Sequence, residues 1–143
     1  MMTHTADHLD PALVEDSYPM QSLIGMTMTH WDEGISRFRL PLRPELMNRY
    51  GIPHGGLYAV ILDTVMGYAG SYTGDAARKQ MVMTLTLTTN FLARPQGVIL
   101  TGEGRRVGGG KSTYFAEGTV TDELGTVIAT GSGTFRYRRG TGS

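Results

Sequence analysis

The groups best suited to chemistry lie in one stretch, residues 48–63, with the sequence NRYGIPHGGLYAVILD. Pro53 keeps the residue before it extended, so the chain turns here before a helix begins. The triplet His-Gly-Gly, residues 54–56, then precedes a mostly apolar run, residues 57–70, that contains Asp63. This pattern predicts a helix whose first turn has no bulky side chains and whose second half carries a carboxylate.

A helix that starts at these glycines offers a binding site for a carbonyl oxygen or an oxyanion. The first N–H groups of a helix lack intrahelical partners and carry the positive end of its dipole. Gly55 and Gly56 let a substrate approach that backbone closely. Asp63 lies among apolar neighbours, where an isolated carboxylate is unfavourable. We therefore expect Asp63 to be either a neutral buried acid or an ionised one held by hydrogen bonds.

The spacing of Gly55 and Asp63 limits how they can cooperate. Eight residues separate them, and a helix rises 1.5 Å per residue, so they lie about 12 Å apart along its axis. One chain cannot bring both to a single reacting carbon. If both act, two helices must be paired head to tail, and the spacing then predicts composite sites across a two-fold dimer.

The remaining chain shows the patterns of strands around this helix. Alternating or apolar runs joined by short turns predict two strands before the helix and four after it, at about 20–31, 34–40, 81–88, 98–107, 112–121 and 126–138. Residues 1–17 are expected to be a flexible tail, 18–139 a single domain, and 140–143 a loose C-terminal tail.

Composition narrows the function classes. The 143 residues suit one domain with one core. The 13 basic and 13 acidic side chains balance, which argues against nucleic acid or an anionic membrane as the main partner. Cysteine is absent, so no thiolate chemistry is available. No apolar run approaches a membrane span, and the polar start is unlike a signal peptide, so a cytoplasmic location is expected.

Three features together carry a resemblance to a known family. They are Asn48 followed by the His-Gly-Gly triplet, Asp63 in the helix, and a strand that ends in NFLARP at residues 90–95. In the strand order above, they resemble the hotdog-fold acyl-CoA thioesterases, specifically the PaaI-like branch named for phenylacetate degradation. The resemblance covers about residues 20–137. It implies an α+β hotdog fold, a curved antiparallel sheet of about six strands wrapped around one long helix.

The resemblance also implies an activity and roles for particular residues. The reaction is hydrolysis of a small or medium acyl-CoA, aromatic ones included, by a homodimer or a dimer of dimers. No metal or cofactor is needed, since CoA belongs to the substrate. Asp63 would be the base or nucleophile, and the Gly55 N–H with Asn48 would polarise the thioester carbonyl. His54 would orient Asn48 or the thioester. Gly56 would be part of the surface that binds the substrate.

A hydroxyl in the third strand is also implied, to help place the attacking water. Thr84 is its best match when the strand is aligned on Phe91, whereas alignment on Pro95 gives Leu85 instead. Strict alternation would place Thr84 on one face with Thr86, opposite Leu85.

Four basic residues around the turns near the fourth and fifth strands are candidates to hold the CoA phosphates. They are Arg94, Arg105, Arg106 and Lys111.

Two other functions remain open. A hotdog hydratase or dehydratase would need a histidine and an acid placed at the second and third acyl carbons, which the order of His54 and Asp63 disfavours. A non-catalytic acyl-CoA binder would have Asp63 in a structural role, and it would release no thiol.

Overall fold

A single long helix, α2 (Gly55–Ser71), lies against one face of a six-stranded antiparallel sheet. The computed structural model describes residues 6–140. Before α2 come a short helix, two strands and one 3-10 turn: α1 (Pro19–Ile24), β1 (Thr27–Asp32), β2 (Ile35–Pro41) and the turn Pro44–Leu46. After it come β3 (Val82–Phe91), β4 (Ile99–Gly109), β5 (Thr113–Asp122) and β6 (Val127–Tyr137). The strand order is β1-β2-β4-β5-β6-β3, and the predicted hotdog fold is confirmed.

The core is the contact between α2 and the inner face of this sheet. Ile61, Leu62, Val65 and Met66 are fully buried there, which explains why α2 is apolar on most of its surface. Apolar side chains from the strands complete the core: Phe38, Leu40, Leu100, Val120, Ile128 and Phe135. Burial of this surface, rather than intrinsic propensity, is what stabilises the helix.

A row of glycines lets α2 approach the sheet closely. Gly104, Gly118 and Gly131 are paired in register across β4, β5 and β6. A Cβ on Gly104 would lie 2.2 Å from the carbonyl oxygen of Val65, and one on Gly118 would lie 2.9 Å from a Leu62 methyl carbon. The helix backbone therefore occupies the space that side chains would otherwise fill.

Ser36 extends the row onto β2, where it pairs with Gly104. Its hydroxyl donates a 2.7 Å hydrogen bond to the same Val65 carbonyl oxygen and is fully buried. A buried hydroxyl is unfavourable without a partner, so this bond also fixes the position of α2 along the sheet.

The first predicted strand is wrong in its first half. Residues 19–24 form α1 instead, with Pro19 at its first position and Gly25 after its end at φ 81°. Proline suits the first turn of a helix, and glycine tolerates the left-handed conformation that ends one. These two residues mark a helix of only six residues, and β1 begins after it, at Thr27.

The segment before α1 contacts the outer face of the sheet. The N–H of Trp31 donates to the His8 carbonyl, and the N–H of His8 donates to Nδ1 of His30 at 2.7 Å. Asp7 forms an ion pair with Arg37, which is buried and also paired with Glu103 at 2.7 Å. The division into tails and one domain stays a prediction, and its terminal parts, residues 1–5 and 141–143, lie outside the described residues.

We expect Gly104→Ala to lower the free energy of unfolding by about 2–3 kcal/mol, because its Cβ cannot avoid the Val65 carbonyl. Gly110→Ala is the matched control, since a Cβ there meets no atom within 4 Å, and its effect should stay within about 0.5 kcal/mol. Urea denaturation of both variants measures the difference. Equal effects would show that the glycine row does not control helix packing.

Candidate active site

The start of α2 is organised by His54. It is the N-cap residue, and its Nδ1 accepts a 2.9 Å hydrogen bond from the N–H of Gly56. An accepting Nδ1 carries no proton, so the proton of the neutral ring is on Nε2. The Gly55 N–H, by contrast, has no acceptor among residues 6–140. The helix thus presents one unpaired backbone donor, at the position that the sequence predicts for carbonyl binding.

Asn48 is fixed by its own loop. Its Oδ1 accepts from the N–H of Tyr50 at 2.9 Å and from that of Ile52 at 3.4 Å. Within the part of the chain that the structure describes, His54 makes no hydrogen bond to Asn48. The backbone of residues 50–52 orients Asn48, therefore, and its amide NH2 group remains available to a ligand.

Asp63 lies halfway along α2, on the side that faces β3. The hydroxyl of Thr84 donates a 2.6 Å hydrogen bond to its Oδ1. The expectation of a fully buried acid is wrong, because Asp63 is only half-buried and borders an open cleft. The hydrogen bond that the other expectation requires is present, in the contact with Thr84.

Thr84 reaches Asp63 because β3 is irregular. Thr84 pairs with Phe135 and Thr86 with Thr134, so three residues of β3 oppose two of β6. Such a bulge reverses which side chains face the core. Strict alternation, which grouped Thr84 with Thr86 on one face, is wrong here, and Leu85 is an exposed side chain on the bulge.

The cleft beside Asp63 has a volume of about 300 Å³. Its lining comes from the segment before α1, from α2, from the start of β3 with the two residues before it, and from β6: Glu15, Tyr18, Asp63, Thr64, Gly67, Tyr68, Ser71, Gln80, Met81, Val82, Thr84 and Phe135. Of these, Asp63 and Thr84 are the two that the sequence predicts as site residues.

Tyr18 is the main contribution of the N-terminal segment to this cleft. Its hydroxyl and that of Thr64 are hydrogen-bonded at 2.8 Å. Burial raises the pKa of the Tyr18 phenol; the hydrogen bond with Thr64 opposes that rise, and the negative charge of Asp63 adds to it. Tyr18 is therefore a neutral hydroxyl group close to the carboxylate. The only feature of the sequence that could have drawn attention to Tyr18 is its position just before Pro19, the first residue of α1.

The four predicted basic residues are not brought together. Arg105 pairs with Glu103 at 2.9 Å on the outer face, and Arg106 lies over the ring of Tyr114. Arg94 lies in the loop between β3 and β4.

Of these four residues, only Lys111 borders the open cavity of about 630 Å³ that we call the basic basin. Several basic side chains line this cavity. Its described lining contains no carboxylate and consists of Gln80, Met83, Lys111, Ser112, Arg136, Tyr137, Arg138, Arg139 and Gly140. Its three arginines come from the end of β6 and the residues after it, and none of them was predicted from the sequence.

Strand β3 is at the edge of the sheet and runs beside both Asp63 and Gly55. Near its start, Thr84 contacts Asp63, and at its end the Phe91 ring lies against Gly55, 3.2 Å from where a Cβ would be. Met83, Leu85 and Phe91 are exposed on this edge strand. Exposed apolar side chains on an unpaired edge favour association with another strand.

The fold and the family that the sequence matches define a class of protein, a thioester hydrolase with a hotdog fold. The model of the Thioesterase superfamily matches residues 50–129, which include the start of α2, Asp63 and all of β3. The chain belongs to this superfamily.

Solved structures are similar over most of the chain. A conserved protein of Pseudomonas aeruginosa is 24% identical, with a TM-score of 0.77 over 89% of this chain and 97% of that one. PaaI from the phenylacetic acid degradation operon of Escherichia coli is 20% identical, with a TM-score of 0.75 over 85% and 86%. A Bacillus halodurans protein, crystallised with CoA, is 28% identical, with a TM-score of 0.73 over 86% and 80%.

Two further observations concern membrane-spanning helices and metal-binding groups. Neither α1 nor α2, the α-helices within residues 6–140, has both the length and the apolar character needed to cross a membrane. In the same range, no three His, Asp or Glu side chains are grouped closely enough to hold a metal ion.

We expect His54→Ala to lower the free energy of unfolding by about 1 kcal/mol, because it removes the cap from α2. His54→Asn should keep most of that stability, since asparagine is a preferred N-cap residue. Thermal denaturation of the two variants and the wild type measures this. An asparagine variant as unstable as the alanine variant would show that His54 does not act as a cap.

Proposed function

We propose that this chain is an acyl-CoA thioesterase that hydrolyses small or medium acyl-CoA esters, aromatic ones included, to the free acid and CoA. The observation that carries the proposal is the Asp63 carboxylate, held by Thr84 at the edge of an open cleft. A half-buried acid with one oxygen fixed by a neutral donor has its other oxygen available to a substrate or a water molecule.

In the simplest mechanism, Asp63 acts as a general base. It takes a proton from a water molecule as the water oxygen attacks the thioester carbonyl carbon. The tetrahedral intermediate then collapses, the carbon–sulfur bond breaks, and the CoA thiolate takes the proton back from Asp63. Direct attack by Asp63 would instead break the carbon–sulfur bond, release the CoA thiolate and leave a mixed anhydride. Water then hydrolyses the anhydride to the free acid and the Asp63 carboxylate, and the proton released goes to the thiolate. Thr84 positions the carboxylate in both routes.

The oxyanion of this intermediate needs a donor, and the unpaired Gly55 N–H suits that role. Backbone donors at a helix start are fixed before the reaction and act together with the helix dipole. Asn48, whose amide is oriented by its loop, would be the second polar contact. The N–H of Gly56 donates to His54, so Gly56 would contribute differently: without a side chain, it lets the substrate approach the backbone.

The two groups come from different chains in this mechanism. Gly55 and Asp63 lie on the same straight element, about 12 Å apart. If β3 pairs antiparallel with β3 of a second copy, the start of one strand lies beside the end of the other. Thr84 and Asp63 are at one end, and Phe91 and Gly55 are at the other. Each Asp63 would therefore approach the partner's Gly55.

The basic basin is the proposed site for the CoA phosphates. Arginine and lysine form strong charge-assisted hydrogen bonds with phosphate oxygens. Lys111 and Arg138 border the basin, and Gln80 borders both the basin and the cleft beside Asp63. The two cavities thus share a lining residue just before β3. The CoA in the Bacillus halodurans structure supports this ligand class.

We expect Asp63→Asn and Gly55→Pro each to abolish thiol release from a panel of phenylacetyl-, benzoyl- and straight-chain acyl-CoAs. Asparagine cannot act as the base, and proline removes the N–H while remaining compatible with the first helical position. A hybrid dimer of the two variants should recover about half of the wild-type activity, because one of its two composite sites is intact.

The hybrid separates this mechanism from its alternatives. Sites made within one chain would leave every site of the hybrid defective, so an inactive, correctly assembled hybrid contradicts the composite site. A wild-type protein that binds these esters but releases no thiol would instead be an acyl-CoA binder. Circular dichroism and size-exclusion chromatography confirm that each variant folds and associates.

We expect Arg138→Glu to raise KM for acyl-CoA about tenfold with little change in kcat, because it weakens ground-state binding of the phosphates. Acyl-pantetheine esters lack the nucleotide, so their KM should not change. Arg39→Glu is the matched control, a charge reversal at an exposed arginine of β2, away from the basin. An equal effect of Arg138→Glu on both kinds of ester would exclude the basin as the phosphate site.

A further inference from the structure

The cleft has room next to Asp63 because of one glycine. Gly67 follows Asp63 by four residues, one turn further along α2, and both border the cleft. A Cβ on Gly67 would lie 3.7 Å from a Val82 methyl carbon and 3.9 Å from the Phe135 ring. These are ordinary contact distances, so packing does not require glycine at this position. Because Gly67 has no side chain, the cleft is deeper at this position.

Tyr18 forms a wall of the same cleft and is held in place from both sides. It directly precedes α1, which begins at Pro19, and its hydroxyl is bonded to that of Thr64 on α2. Thr64 is buried. Moving the Tyr18 ring outward would therefore break this hydrogen bond and expose the Thr64 hydroxyl. A ring anchored in this way limits what can enter.

The rest of the proposed mechanism determines which part of the substrate enters here. The thioester carbon must lie at Asp63, with the acyl group on one side and the sulfur arm on the other. The arm has to continue to its phosphates, for which the charges of the basic basin are suited. The space beside Tyr18 and Gly67, with Tyr68 and Val82 as apolar walls, is then left for the acyl group.

We propose that Tyr18 is a specificity-determining residue that, with Gly67, restricts this enzyme to compact acyl groups, single rings or short chains. The inference rests on the proposed function and narrows its substrate size from small or medium acyl groups to compact ones. A volume of about 300 Å³ is at the lower end for ligand pockets, while an apolar cavity of about 150 Å³ can hold benzene. A long straight chain would have to displace the Tyr18 ring.

The test compares kcat/KM for phenylacetyl-CoA and decanoyl-CoA in the wild type and three variants. Tyr18→Ala removes the wall, and the ratio of decanoyl to phenylacetyl activity should rise at least about tenfold, the usual effect of a changed pocket contact. Tyr18→Phe keeps the ring but loses the hydrogen bond that anchors it, so its ratio should rise less than that of Tyr18→Ala. Gly67→Ala raises the floor, so activity should fall for phenylacetyl-CoA and persist for acetyl-CoA.

Several outcomes would overturn the proposal. One is a wild type that prefers decanoyl-CoA. Another is a folded Tyr18→Ala variant with an unchanged ratio of decanoyl to phenylacetyl activity. A third is a Tyr18→Phe variant whose ratio rises as much as that of Tyr18→Ala. Binding of the non-hydrolysable phenethyl and decyl thioethers of CoA, measured by calorimetry, gives a readout that needs no turnover. If the wild type releases no thiol but Tyr18→Ala still improves decyl binding relative to phenethyl, the hydrolase mechanism fails and the size limit stands. If Tyr18→Ala leaves relative binding unchanged, the size limit fails.

Discussion

The close contact between α2 and the glycine row is the constraint on which the rest of this structure depends. Gly104 has no side chain to keep the Val65 carbonyl away, and Ser36 bonds to that same oxygen. The position of α2 on the sheet is therefore set by backbone contacts and one buried hydrogen bond as well as by apolar packing. Because these contacts fix the middle of α2 on the sheet, they also fix the positions of Gly55 and Asp63.

That placement keeps Gly55 and Asp63 apart. The unpaired N–H of Gly55 is at the beginning of α2, and the Asp63 carboxylate is two turns further on. A rigid helix cannot bend to bring them together. Strand β3 runs beside both, with Thr84 next to Asp63 and Phe91 next to Gly55.

The sequence predicted local features well and long-range ones poorly. The start of α2 and the six strands follow from patterns within a few residues, and the NFLARP segment marks the end of β3. The contact between Thr84 and Asp63 depends on a bulge, which arises from the pairing of β3 with β6 and leaves no mark in the alternation. The basic basin joins Lys111 to arginines about 25 residues later in the chain, so residue spacing alone could not indicate it.

The N-terminal segment shows why a region of irregular structure still affects the site. On the outer face, Asp7 pairs with Arg37, and His30 accepts a hydrogen bond from the His8 N–H. Burial and the nearby Arg37 charge lower the pKa of His30, which favours the neutral ring that this hydrogen bond requires. The same segment then continues to Tyr18, which borders the cleft beside α2. Contacts on the outer face thus restrict the path of the chain that forms one wall of the site.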